Sequence, residues 1–290
     1  MRIDLHIHSK NGSDGRWDVR DIFAEASRRG ISVISVTDHD SVAAQEQAQS
    51  LARKYGMRYI TGIELNITFS HAGHKAGKEV SLDCLGYGFD YRHPPLTDKL
   101  ERLRSHRVRR AEQILEKLNE EFRAQGMPEF TGKDMDAIQA NVDGALARPH
   151  IAAYLIEKGI VRDKQEAFDR YLVKCDVPKM PLSLAEASAL VRSAGGRLVL
   201  AHPGDPNGTS LVSLTPLVEQ QQDIIRDSML EYIDGVECWH SRHEKAVVQS
   251  YADFAKLHSL MATGGSDCHQ QPPVMGTVEV PGWVASQFDF

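Results

Sequence analysis

No apolar run in the chain approaches the ~18 residues that crossing a bilayer requires, and the opening MRIDLHIHS is studded with polar residues where a secretory leader would carry an apolar core. Both absences lead us to expect a cytoplasmic chain with no membrane contact. The four cysteines, Cys84, Cys175, Cys238 and Cys268, form no CxxC pair and share no recurring spacing, so they read as reduced thiols in or near a core. A basic excess is also missing. Against 34 Lys and Arg stand 40 Asp and Glu, a formal net charge of −6, which argues against a non-specific nucleic-acid coat. A short nucleotide substrate is still compatible, because local charge matters more than the total. Low-complexity tracts and internal repeats are lacking too. What remains, 290 residues with 41% hydrophobic and 26% charged, suits one large α/β domain or one domain carrying an insertion. The abundance lies in histidine: there are 13, several beside acidic residues.

Short β-like runs recur at 2–8, 32–40, 58–64, 80–88, 197–203, 235–240 and 260–269, each closing on polar or acidic residues. Between several of them lie segments such as VRDIFAEASRRG, AAQEQAQSLARKYG, LAEASALVRSAGG and EKAVVQSYADFAKLH, with apolar residues three and four apart as a helix requires. The alternation predicts a parallel sheet, and seven such strands predict a closed or nearly closed barrel. Residues 97–123 read as one long amphipathic helix, with further helical stretches at 148–159 and 163–174. We therefore expect a barrel domain over 1–95 and 181–290 and a helical insertion over 96–180 that covers the barrel mouth.

The strand ends carry ligand-type side chains. His6 and His8 stand two apart, so on a strand they share a face. Asp14 follows in a flexible GSDG loop, His39 lies in TDHD, and Glu64 ends the third run, where its two oxygens can bridge two cations. His202 lies in AHPG, and Asp267 with His269 forms a second same-face pair. A bland account makes each a polar strand cap. It leaves unexplained why five strand ends finish this way on the rim where barrel strand ends converge. Clustered carboxylates repel and lose hydration, and divalent cations resolve that conflict. Imidazole and carboxylate without thiolate suit Mn²⁺, Fe²⁺ or Zn²⁺.

The order HxH…TDHD…GIE…AHPG…GGSDxH resembles the polymerase-and-histidinol-phosphatase (PHP) family of metal-dependent phosphoesterases, over nearly the whole chain. The resemblance implies a distorted (β/α)7 barrel holding three divalent cations, with Mn²⁺ favoured and Fe²⁺ or Zn²⁺ as alternatives. It implies one cation on His6, His8, Glu64 and Asp267, a second sharing Glu64 and using His202, and a third on Asp14, His39 and His269. One position departs from the family's pattern: Asp83 stands in LDCLGYG where the family usually has histidine, and we keep it as a ligand. His71 and His74 look like part of an exposed hairpin.

On the 97–123 helix, Leu100, Leu103, Ala111, Ile114, Leu115 and Leu118 share a face, and Arg104 and Arg107 fall within that stripe. A buried arginine there needs an anion, which marks Arg107 as a phosphate clamp with Arg110 at the stripe edge. Arg148 and His150, in LARPHIA, open another helical stretch, where free N–H groups favour anions. This RPH segment, EAFDRYL and ExWHSRH resemble a PHP subgroup of 3′,5′-bisphosphonucleotide phosphatases and 5′→3′ exoribonucleases. The expected reaction is phosphate-ester hydrolysis by metal-activated hydroxide, with Glu64, His202 and Asp267 catalytic and His243 and Arg242 as weaker substrate contacts. The expected substrate is a small phosphorylated nucleotide or short RNA; no stable protein partner is implied. The rivals are a histidinol-phosphate-type phosphatase and a non-catalytic metal-binding module. An amidohydrolase would usually want a metal-bridging lysine, and no lysine stands at these strand ends.

Overall fold

Each of the seven β-like runs contains a strand in the computed structural model of the chain, which describes residues 1–140, 146 and 148–289. The strands are β1 Arg2–Asp4, β2 Ile31–Ile34, β3 Arg58–Tyr59, β4 Gly62–Phe69, β5 Val80–Tyr87, β6 Arg197–Leu200, β7 Gly235–His240 and β8 Met261–Gly265. The run at 58–64 thus splits between β3 and β4. The chain divides into two compact units, one made of Met1–Asp98 with Pro181–Phe290 and the other of Lys99–Met180. Among the described residues, no helix is long and apolar enough to cross a membrane.

In the first unit the strands form a sheet β1-β2-β3 and a sheet β4-β5-β6-β7-β8. Backbone bonds link the two: Cys268 N–H donates to the His6 carbonyl, and Glu64 N–H to the Asp38 carbonyl. Not every pairing is parallel, and this corrects the expectation. β5 runs antiparallel to both β4 and β6. The 70–79 connection is too short for a crossover helix, which takes a dozen or more residues, so β4 and β5 can only fold back as a hairpin. The parallel crossovers carry helices α1 Val19–Arg28, α2 Gln45–Tyr55, α8 Val218–Ser228 and α9 Lys245–Leu257, and α7 Leu184–Ser193 leads into β6.

Local chemistry explains these boundaries. The Asp18 side chain accepts from Arg20 N–H at the start of α1, whose Val19, Ile22, Phe23 and Ala26 are buried on one face. Gly56, in the left-handed region at φ 66°, ends α2. Ser183 caps α7 by accepting from Glu186 N–H. Helices α1 and α2 pack on the first sheet through Phe23, Ile34 and Ala48. A second core joins Ile3, Leu5, Val33, Tyr87 and Val199 to Val284, Ala285 and Phe288 from the last helical turns, Gly282–Phe288. The Gln287 amide exchanges two hydrogen bonds with the Ala262 backbone, pairing like one more strand residue.

The second unit has its own core, in which Ile114, Leu118 and Phe122 meet Ile138, Leu155 and Tyr171. These residues come from α3 Pro94–Ala124, α4 Gly132–Ala140, α5 Arg148–Glu157 and the wide turn Phe168–Leu172 that follows α6 Lys164–Ala167. Arg104 departs from the expected apolar stripe: its side chain is exposed and pairs with Glu101 three residues back. Residue 147, which would cap α5, lies outside the described residues.

Candidate metal centre

Strand ends of the first unit bring the ligand-type side chains together. His6 and His8 follow β1, Glu64 lies in β4, Asp83 in β5, and His202, Asp267 and His269 follow β6 and β8. His6, His8, Glu64 and Asp267 offer one atom each within 4.8 Å of one another, as do His8, Asp14, His39 and His269, and likewise His39, Glu64 and Asp83. Glu64 is the hub. Its Oε2 lies 3.3 Å from His6 Nε2, 3.2 Å from His8 Nε2 and 3.1 Å from His39 Nδ1, while Oε1 lies 3.0 Å from His202 Nε2. Asp267 Oδ1 lies 3.2 Å from His8 Nε2 and 3.5 Å from His6 Nε2. Asp14 Oδ1 lies 3.1 Å from His269 Nε2 and 3.8 Å from His39 Nε2. Asp83 accepts from the Asn66 amide at 2.7 Å.

The backbone is strained where it presents these groups. His202 at φ 25° and Asp267 at φ 52° sit in the left-handed region that L-residues rarely adopt. Gly265 allows a close approach: a Cβ there would lie 2.4 Å from the His6 backbone nitrogen and Cβ. Buried Asp4 accepts from Ser266 and Gly276 N–H, and Asp38 accepts from Ser9 N–H and Oγ, so both tie the ligand-bearing loops in place.

The electrostatics are those of a crowded anion cluster neutralised by protons. Burial alone would push the His6 and His8 imidazoles down. The carboxylates of Glu64 and Asp267 (and Glu237 for His6) outweigh it, raising His6 well above 6.5 and His8 to about 10. His202 is likewise lifted to about 9 against its burial, chiefly by Glu64. Burial pushes Glu64 and Asp267 up, yet the facing histidines hold both well below the usual carboxylate range. Asp83 is raised to about 8 by burial and then by the charge of Glu64. His39 is lowered, first by burial. The donor set fits divalent cations. His6 Nε2, His8 Nε2, Glu64 Oε2 and His202 Nδ1 are buried polar atoms with no hydrogen-bond partner, an arrangement that offers lone pairs to a cation that displaces the imidazole protons.

Three residues beside this cluster went unread as parts of it. Glu237 Oε1 lies 3.0 Å from His6 Nδ1. His240 Nε2 lies 3.5 Å from Asp267 Oδ2, and Asp205 meets the Arg242 guanidinium, which also reaches Asp267. Glu237 and His240 are three apart in β7, a spacing that puts them on opposite faces of a regular strand. A bulge between Glu237 and Trp239 turns both toward the site, and no residue pattern announces it.

The expected substrate contacts are differently placed. His243 hydrogen-bonds through both ring nitrogens, to the Cys238 carbonyl at 2.9 Å and from Gly204 N–H at 3.2 Å; burial lowers its pKa to about 4. Arg107, Arg110, Arg148 and His150 belong to the second unit. There Asp176 accepts from Arg110 through Oδ1 and from Arg148 through Oδ2, and Arg110 also donates to the Val177 carbonyl. Arg107 and His150 are half-buried.

Comparison with known proteins agrees with this chemistry. The family described as PHP domain matches residues 4–172. The chain is 29% identical over 275 residues to a 5′-3′ exoribonuclease of Haemophilus influenzae, covering 92% of this chain and 90% of that protein. It is 27% identical over 283 residues to a 3′,5′-nucleoside bisphosphate phosphatase of Chromobacterium violaceum, covering 92% and 87%. A crystal structure from Bifidobacterium adolescentis, assigned as a metal-dependent phosphoesterase, superposes with a TM-score of 0.73 at 26% identity, covering 99% of this chain and 94% of that one.

Proposed function

The chain belongs to the PHP domain family of metal-dependent phosphoesterases, and we propose that this hydrolase removes the 3′-phosphate of 3′,5′-bisphosphonucleotides or trims short 5′-phosphorylated RNA. The observation that carries the reading is Glu64, whose two buried oxygens face four imidazoles at 3.0–3.3 Å beside the Asp267 carboxylate. We assign His6, His8, Glu64 and Asp267 to one cation, Asp14, His39 and His269 to another, and Asp83 and His202 with Glu64 to a third, at the mouth of a distorted (β/α)7 barrel. When bound, such cations polarise the phosphoryl oxygens and lower the pKa of water. The chain's own groups do the rest. Asp267 and Glu64 hold the imidazoles in register, and the proton that the leaving ester oxygen needs falls to His202 or Asp267, whichever of the two does not bind a cation. Arg148, His150 and Arg107 are assigned to the substrate phosphate, with guanidinium geometry suited to it. Arg110 acts through Asp176, and His243 through the Gly204 loop that follows His202.

The test is phosphate release from 3′,5′-bisphosphoadenosine, with a short 5′-phosphorylated RNA and histidinol phosphate in parallel, each with Mn²⁺, Fe²⁺ or Zn²⁺. Turnover of the bisphosphate or the RNA is expected. Turnover of histidinol phosphate alone reassigns the substrate, and silence on all three with metal bound points to a binding module.

A further inference from the structure

Glu237 is fully buried in the middle of β7, and a buried carboxylate is costly unless each oxygen is used. Both are. Oε1 lies 3.0 Å from His6 Nδ1, and Oε2 accepts from the His202 backbone N–H at 2.8 Å. A carboxylate in this state only accepts, so the hydrogen of the shared bond belongs to His6 Nδ1. Once the ring sheds its second proton, as binding a cation requires, that choice leaves the other ring nitrogen, Nε2, to present its lone pair toward Glu64 Oε2 and Asp267 Oδ1, where it is buried without a hydrogen-bond partner. The second oxygen acts on another ligand by a different route: it holds the peptide N–H of His202, the residue whose φ of 25° needs outside support.

We infer that Glu237 is a positioning residue of the metal centre, fixing the tautomer and ring direction of His6 with one oxygen and the strained turn at His202 with the other. The inference rests on the proposal that His6 and His202 bind metal. It also decides between two uses of one cluster. Glu237, His6 and His240 lie within 4.8 Å of one another and offer the atoms of a separate cation site. With both its oxygens already taken by N–H donors, Glu237 belongs to the layer behind the ligands.

Glu237→Gln is the discriminating variant. It keeps the shape but offers one acceptor and one donor to a pair of donors, so either His6 Nδ1–H or the His202 N–H loses its partner. Chelator-stripped full-length protein is titrated with Zn²⁺ alone against a chromophoric competitor. The expected result is an unchanged number of sites with the tightest weakened by about 10- to 100-fold, the range for partners behind a metal ligand. Affinities within twofold of wild type overturn the inference, as does loss of one whole equivalent, which would make Glu237 a ligand. A measurement on the wild-type chain covers a variant that fails to fold. In ¹⁵N-histidine-labelled, Zn²⁺-loaded protein, His6 is expected to show a metal-bound Nε2 and a protonated Nδ1. Coordination through Nδ1 overturns the inference alone, whereas wild-type protein that takes up no Zn²⁺ at all overturns the metal-centre reading and the inference with it.

Discussion

Replacing Asp267 by Asn isolates charge from shape. The position has φ 52°, and Asn enters the left-handed region more readily than most residues, so the backbone is not the reason for any loss. The side chain keeps its volume but trades an anionic oxygen for an amide. Oδ1 sits 3.2 Å from His8 Nε2 and 3.5 Å from His6 Nε2 and His269 Nδ1, so three imidazoles lose the negative charge they share. A partner behind a metal ligand is worth about 10- to 100-fold in metal affinity. A direct ligand sets a floor near the upper end, about 100-fold or about 2.7 kcal/mol. Metal content after dialysis, by mass spectrometry, and competitive Zn²⁺ titration read that loss directly; phosphate release with saturating Mn²⁺ reads its consequence and is expected to vanish. Normal metal content with full activity refutes the assignment. Normal content without activity refutes the ligand role and leaves Asp267 a part in proton transfer.

Three further outcomes are expected. The metal-free protein should lose stability as pH rises, because His8 and His202 are lifted from 6.5 to about 10 and about 9, a contribution fully present below 6.5 and lost through those values. Metal-loaded protein should behave oppositely, since the ligands must shed those protons to bind, and melts from pH 6.5 to 9.5 with chelator or with Mn²⁺ test it; parallel slopes refute it. Gly265→Ala places a Cβ 2.4 Å from His6 backbone, forcing β1 off β8, and should cost about 1–3 kcal/mol in urea unfolding of the metal-free protein and weaken Zn²⁺ binding; an unchanged midpoint contradicts the packing. Arg148→Ala should raise KM for the bisphosphate about 10-fold or more, from the loss of one charge-assisted contact, with metal content unchanged. An unchanged KM removes Arg148 from the substrate.

What the residues made legible followed from short-range regularities. His6 with His8 was readable because a two-residue spacing on extended chain has one geometric meaning, whereas Asp267 and His269 come together through a left-handed backbone at Asp267 that the spacing does not announce; the seven apolar runs hold eight strands, because the run at 58–64 carries β3 and the start of β4. The antiparallel β5 was legible only in the length of its connection, since apolar content carries no direction. Arg110 marks a limit of the same reasoning: an arginine near an apolar stripe needs an anion, and Asp176, which pairs with both Arg110 and Arg148, stands 66 residues from Arg110 in sequence, where no local pattern announces it.

Glu237 and Asp38 mark the deeper limit. Ligands converge at strand ends, where polarity interrupts an apolar run and so stands out. Residues that steer ligands lie one layer behind, inside the run or next to a more conspicuous neighbour. Glu237 sits in mid-strand between Val236 and Cys238, and only the bulge in β7 itself, between Glu237 and Trp239, turns it and His240 to the same side. Asp38 stands beside His39 and bonds to Ser9 across the site, a pairing that exists only once β1 and β2 lie side by side. A side chain that touches a cation is marked by its own chemistry. One that orients a ligand is defined by where that ligand's second nitrogen or peptide N–H points, and that direction exists only in the fold.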